Sequence, residues 1–128
     1  MNNILADIAD VMDFLKLPSA SFAYTDKAAD AYAVIEPGHD AFAAYAGNFP
    51  GRDIQRARIT VGVKSGYSDL KLKITAALLW QEIGILDRSY LGYDADGGYY
   101  TFCFDVEKGY GVKAYKDLMR GFEDGAGR

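Results

Sequence analysis

The chain has 128 residues, half of them hydrophobic and a quarter charged, which suits one independently folding domain and excludes an intrinsically disordered chain. Fourteen basic against eighteen acidic side chains give a net charge of −4, and no segment gathers Lys and Arg densely enough to neutralise a row of phosphates, which argues against nucleic acid as a direct ligand. The single cysteine, Cys103, excludes an intrachain disulfide and suits a reducing compartment.

Ile4, Leu5, Ile8, Val11, Met12 and Leu15 recur at helical spacing, so residues 3 to 16 are expected to form an amphipathic helix with its aspartates outward, closed by Pro18. The chain start carries no basic n-region and reads as no signal peptide. No apolar run approaches the ~20 residues needed to span a bilayer. A soluble protein kept inside a cell is the expectation.

Two short strands are predicted next, over residues 21 to 25 and 31 to 36, with a polar turn between them and Pro37-Gly38 after them. Residues 38 to 53 mix small residues, aromatics and glycines and could be a long loop or a loop holding one helical turn. A loop of that length is uncommon in a small domain unless it binds something, which makes it a candidate interaction surface. Ile59, Val61 and Val63 then alternate with polar residues over a strand from 58 to 64 that Gly66 ends.

Ser68 is a plausible N-cap for a helix running to about Ile83, with Gly84 as its stop. Leu70, Ile74, Ala77, Leu78 and Gln81 share one face, and Leu72, Ala76, Leu79 and Ile83 widen it. So broad an apolar surface suggests a helix lying flat on a sheet and touching something on its outer side. A hairpin follows: residues 87 to 93 and 99 to 107 flank Asp94-Ala95-Asp96-Gly97-Gly98, a strong turn signal. On the return strand Tyr100, Phe102, Phe104 and Val106 should face the core, and Thr101, Cys103, Asp105 and Glu107 the other way. Val112, Tyr115, Leu118, Met119 and Phe122 can form a short terminal helix. The expected fold is α+β: one domain over residues 1 to 128, with a mixed, mostly antiparallel sheet of about four to five strands. It packs against an N-terminal helix and a long central helix, and a short C-terminal helix follows.

No arrangement of residues names a reaction. His39, the only histidine, stands beside Asp40 and could be imagined as an oriented base, but a histidine in a Gly-rich loop is more often a turn residue. Asp94-Ala95-Asp96-Gly97 opens like a calcium loop, yet the alternating ligands do not continue. Asp105 and Glu107 share a strand face where carboxylates are ordinarily solvated, and residues 62 to 66 lack the glycine spacing of a phosphate loop. Neither a catalytic residue, a metal ligand nor a cofactor is expected. Ten tyrosines, with Tyr90, Tyr93, Tyr99 and Tyr100 around the hairpin, suit protein contacts or core packing alike.

The stretch Tyr90-Leu91-Gly92-Tyr93-Asp94, continuing through Tyr99-Tyr100-Thr101-Phe102-Cys103-Phe104-Asp105-Val106-Glu107-Lys108-Gly109-Tyr110, resembles the end of small minor capsid and tail-terminator proteins of long-tailed phages. The upstream order agrees: N-terminal helix, the strand Ala31-Tyr32-Ala33-Val34-Ile35-Glu36, an irregular loop, a further strand and a helix. An alanine-rich middle loop and a helix beyond the last strand depart from the pattern. The resemblance implies a homo-oligomeric ring, commonly a hexamer, that caps the tail tube and joins it to the head, without cofactor or catalysis. Its partners would be its own copies, the tail tube and head-completion proteins, in the host cytoplasm during assembly and then in the virion neck. Candidate interface residues are Phe42, Tyr45 and Phe49 in the middle loop and Tyr93 and Tyr99 at the hairpin tip. The alternatives are a small-ligand-binding or enzymatic α+β domain with His39 or the hairpin tyrosines at its mouth, and another morphogenesis part such as a connector or tail-chaperone-like protein.

Overall fold

The computed structural model describes residues 3–22 and 29–125. In chain order the elements are α1 (Ile4–Phe14), β1 (Ser19–Ser21), β2 (Ala31–Pro37), β3 (Ala41–Ala43), β4 (Arg52–Val63), α2 (Tyr67–Trp80), β5 (Gly84–Asp94), β6 (Tyr99–Tyr110) and α3 (Lys113–Asp124). The α+β class is as expected, with six strands in the sheet instead of four or five. Their order is β1-β2-β4-β6-β5, and β3 pairs with the start of β4. Only β1 runs parallel to its neighbour, β2.

Strict alternation on the central strands makes two different faces. Ala33, Ile35, Ile59, Val61, Phe102, Phe104 and Val106 are buried beneath Ile8, Val11 and Met12 of α1 and Ile74 and Leu78 of α2. On the opposite face, cross-strand partners carry opposite charge: Arg56 meets Glu107 at 3.0 Å and Arg58 meets Asp105 at 2.8 Å. Partly exposed pairs of this kind add little stability. They do favour the pairing that places each arginine opposite a carboxylate.

Helix α1 is the element the sequence describes best. Asn3 caps it, its side chain accepting from the Ala6 amide at 2.8 Å, while the Ile4 amide donates to Gln55 Oε1 at 2.9 Å. The central helix departs from expectation at both ends. It starts at Tyr67 after a left-handed Gly66 and has no side-chain cap, so Ser68 lies inside it. It ends at Trp80, because Glu82 turns left-handed (φ 61°) and sends Ile83 into the core. The result is a helix of 14 residues, not a long one.

Residues 38–53 are neither a structureless loop nor a helical turn. Phe42 sits opposite Asp53 in a β3–β4 ladder, and the Gly51 amide donates to the carbonyls of Ala43 and Ala44 at 3.1 and 3.0 Å. A Cβ on Gly51 would stand 2.5 Å from the Ala44 oxygen, so only glycine fits that crossing. Ser19–Ser21 forms β1, earlier than the expected strand, whose residues 23–25 lie outside the described residues. In β6, Phe102, Phe104 and Val106 enter the core as predicted, whereas Tyr100 lies exposed at the rim against Tyr93, ring centres 4.8 Å apart. Among the described residues no helix is long and apolar enough to cross a membrane.

Candidate interaction surfaces

The last helix is anchored at its first turn and open beyond it. Val112 is buried just before α3, and the Tyr115 hydroxyl donates to Asp53 Oδ2 at 2.8 Å. Asp53 is only 5% exposed and also accepts from Gln55 Nε2 at 3.0 Å, so two donors offset the burial of its charge. Phe42 meets the Tyr115 ring edge-on at 5.5 Å, and the Lys116 ammonium lies 5.3 Å from the Phe49 ring centre.

Tyr115, Leu118, Met119 and Phe122 follow the i, i+3, i+4, i+7 rule of an amphipathic helix. Their stripe does not enter the core: Leu118 is 59% exposed, and Met119 and Phe122 are similarly open. Together with Phe42, Phe49 and Pro50 it walls an open apolar groove of about 270 Å³. Two of the three loop aromatics singled out in the sequence, Phe42 and Phe49, are thus brought to one place. Tyr45 is exposed on the same β3–β4 connection but does not line the groove.

A second surface lies where α1 and α2 end. Phe14 and Trp80 pack with ring centres 5.4 Å apart and planes tilted by 40°, and are 63% and 66% exposed, with Leu15, Lys73, Ala76 and Ala77 around them. Leu72 and Leu79 are exposed on α2 as well, the outward half of the broad apolar face noted in its sequence. Phe14 and Trp80 themselves escaped the sequence reading, because an aromatic at a helix end has the same local signature whether or not it is covered.

The hairpin aromatics divide. Tyr90, Leu91 and Tyr93 are exposed along β5, but Tyr99 is 3% exposed and belongs to the interior. Its hydroxyl donates to the Ala29 carbonyl at 2.5 Å, and its ring meets Tyr32 edge-on at 4.9 Å. The hairpin tip therefore offers Tyr93 and not Tyr99.

Polar groups that could have carried chemistry have structural partners instead. Asp40 accepts from the Arg56 amide at 3.2 Å, and Asp94 from the Asp96 amide at 3.1 Å within the turn. Asp105 and Glu107 are each engaged by an arginine. Among the described residues no three His, Cys, Asp or Glu side chains gather as a metal site.

No family model matches the chain, and no curated protein matches it. Two tyrosines nevertheless reveal how the molecule uses its carboxylates. Burial, reinforced by a 2.5 Å bond to Asp7, holds the Tyr110 hydroxyl protonated well above its ordinary range, and the bond to Asp53 raises Tyr115. Both shifts favour the neutral donor and move away from neutral pH, the opposite of what a general acid needs. A raised native value stabilises the fold fully below the unfolded value of 10.0 and loses that contribution as pH rises. Wild-type urea midpoints should fall between about pH 9 and 11, and the Tyr110→Phe variant should fall less steeply. Parallel slopes for the two proteins would contradict the assignment.

Proposed function

We propose that the chain is an assembly subunit of a tailed phage or prophage, closing into a homo-oligomeric ring that caps the tail tube and joins it to the head. One observation carries the proposal: two separate clusters of large apolar side chains, the α3 groove and the Phe14–Trp80 ridge, stand open on a well-packed body. Patches of several hundred Å² exposed to water mark contact surfaces. A pair of unlike patches is what a ring contact requires, since each subunit must present one to each neighbour. The aromatic hairpin and its resemblance to tail-terminator proteins add the biological setting. A ligand-binding or enzymatic role is supported less well, because the groove's walls are apolar and its one hydroxyl, on Tyr115, is committed to Asp53.

The test is the mass of the purified protein by light scattering across concentrations, followed by negative-stain microscopy with and without tail tubes. Closed rings, free or seated on tube ends, are expected. A strict monomer that ignores tail tubes would refute the proposal.

A further inference from the structure

We infer that the junction between neighbouring copies seats Trp80, with Phe14 beside it, in the groove under α3 of the next copy. The inference rests on the self-assembly reading above and gives it an address. Ridge and groove suit each other in shape: Trp80 projects with two thirds of its surface exposed, and no residue of α1 or α2 lines the groove. Aromatic side chains that enter apolar pockets, tryptophan above all, supply most of the binding energy of interfaces. The α3 wall of the groove carries Met119, whose unbranched chain adapts to an inserted ring.

Charge agrees with shape. Asp10 lies one helical turn before Phe14 and lines the cleft beside Trp80; Asp13 and Glu82 flank the same ridge, and none of the three forms an ion pair among the described residues. At the groove the Lys116 ammonium lies over the Phe49 ring, and it forms no ion pair among the described residues. Other charges run against the pattern: Lys16, two residues after Phe14, and Lys73, paired with Asp69 at 3.1 Å, on the ridge, and the acids of α3, whose Asp117, Glu123 and Asp124 equal its Lys113, Lys116 and Arg120 in number. Asp10 of one copy facing Lys116 of the next favours seating ridge onto groove.

Area is also adequate. Four to six half-exposed large side chains leave roughly 500 Å² of apolar surface on each patch, the larger part of the ~800 Å² per partner in a standard interface. Pairing the ridge with itself would bring its carboxylates together, which disfavours a two-fold dimer.

Trp80 is the only tryptophan, so its fluorescence reports the junction directly. In the wild type, emission should move to the blue with rising concentration, in step with mass. Trp80→Asp and Leu118→Asp, both at exposed positions, should each weaken self-association tenfold or more while circular dichroism and melting stay unchanged. Mixed in equal amounts they retain one sound junction, the Leu118→Asp copy's Trp80 in the other's groove. They should form pairs that grow no further, with blue-shifted emission. If copies assemble only on tail tubes, the same emission and variants are read on sedimented tubes. Self-association with Trp80 emission unmoved would overturn the junction and leave the ring proposal standing. Copies that never associate, alone or on tubes, would overturn both. Should either variant unfold, the wild-type emission against mass still decides.

Discussion

Replacing Phe104 by alanine is expected to cost about 3–5 kcal/mol of folding stability, the range for deleting a buried aromatic ring. Phe104 is 0% exposed at the middle of β6, opposite Ile59 of β4, with the Phe102 ring 5.7 Å away. It belongs to one buried cluster with Ile8 and Met12 of α1 and Ile74 and Leu78 of α2, so no neighbour can move in without losing its own contacts. A domain of this size holds roughly 5–15 kcal/mol in total, and the variant should show a large fall in urea midpoint with little change of slope. Phe104→Leu, which keeps most of the volume, should cost about 1.5 kcal/mol or less. Near-equal midpoints for wild type and the alanine variant would mean that the two helices do not share one core.

Removing the Asp53 carboxylate should act locally rather than globally. Asp53→Ala leaves the Tyr115 hydroxyl and the Gln55 amide without their acceptor, at a cost of about 1–3 kcal/mol. Because this bond, the buried Val112 and a few contacts to Phe42 and Phe49 are what hold α3 among the described residues, that loss falls on the helix more than on the sheet. Cleavage by trypsin at Lys113, Lys116 or Arg120 should accelerate about tenfold for each 1.4 kcal/mol removed, when opening is fast relative to cleavage. The main melting transition should move by a smaller proportion. Equal cleavage rates in the two proteins would show that the carboxylate does not anchor the helix.

How much of this was legible beforehand follows from where each instruction resides. In α1 the apolar spacing lies within the segment, and the helix appears close to the expected residues 3 to 16, ending at Phe14 because Lys16 turns left-handed (φ 57°). The β5–β6 hairpin was visible for the same reason: its turn and its two-faced strand are local. β3 was hidden because Ala41 and Ala43 have little strand preference; their pairing is imposed by β4, ten residues away. The end of α2 turned on Glu82 adopting a left-handed conformation, which favours burial of Ile83 and has no sequence signature. Tyr99 and Tyr100 are adjacent tyrosines with opposite fates, decided by Ala29 and Tyr32 covering one of them. Leu118, Met119 and Phe122 show the largest gap. Their spacing identifies a helix with an apolar side, but only the fold reveals that this side points away from its own core.

The two register shifts in β5, between Ile85 and Asp87 and between Tyr90 and Gly92, bear on where the proposed assembly would stop growing. A subunit produced in many copies has to associate at a few places and fail to associate everywhere else. Straight edge strands are the commonest place for such restraint to break down, since each added strand exposes another like itself. Kinked twice within eleven residues, β5 is a poor template for strand addition despite its tyrosines. Any contact made there is by side chains and ends with the partner that makes it. In the proposed ring the joining falls to the helices, and an assembly joined through helices can finish.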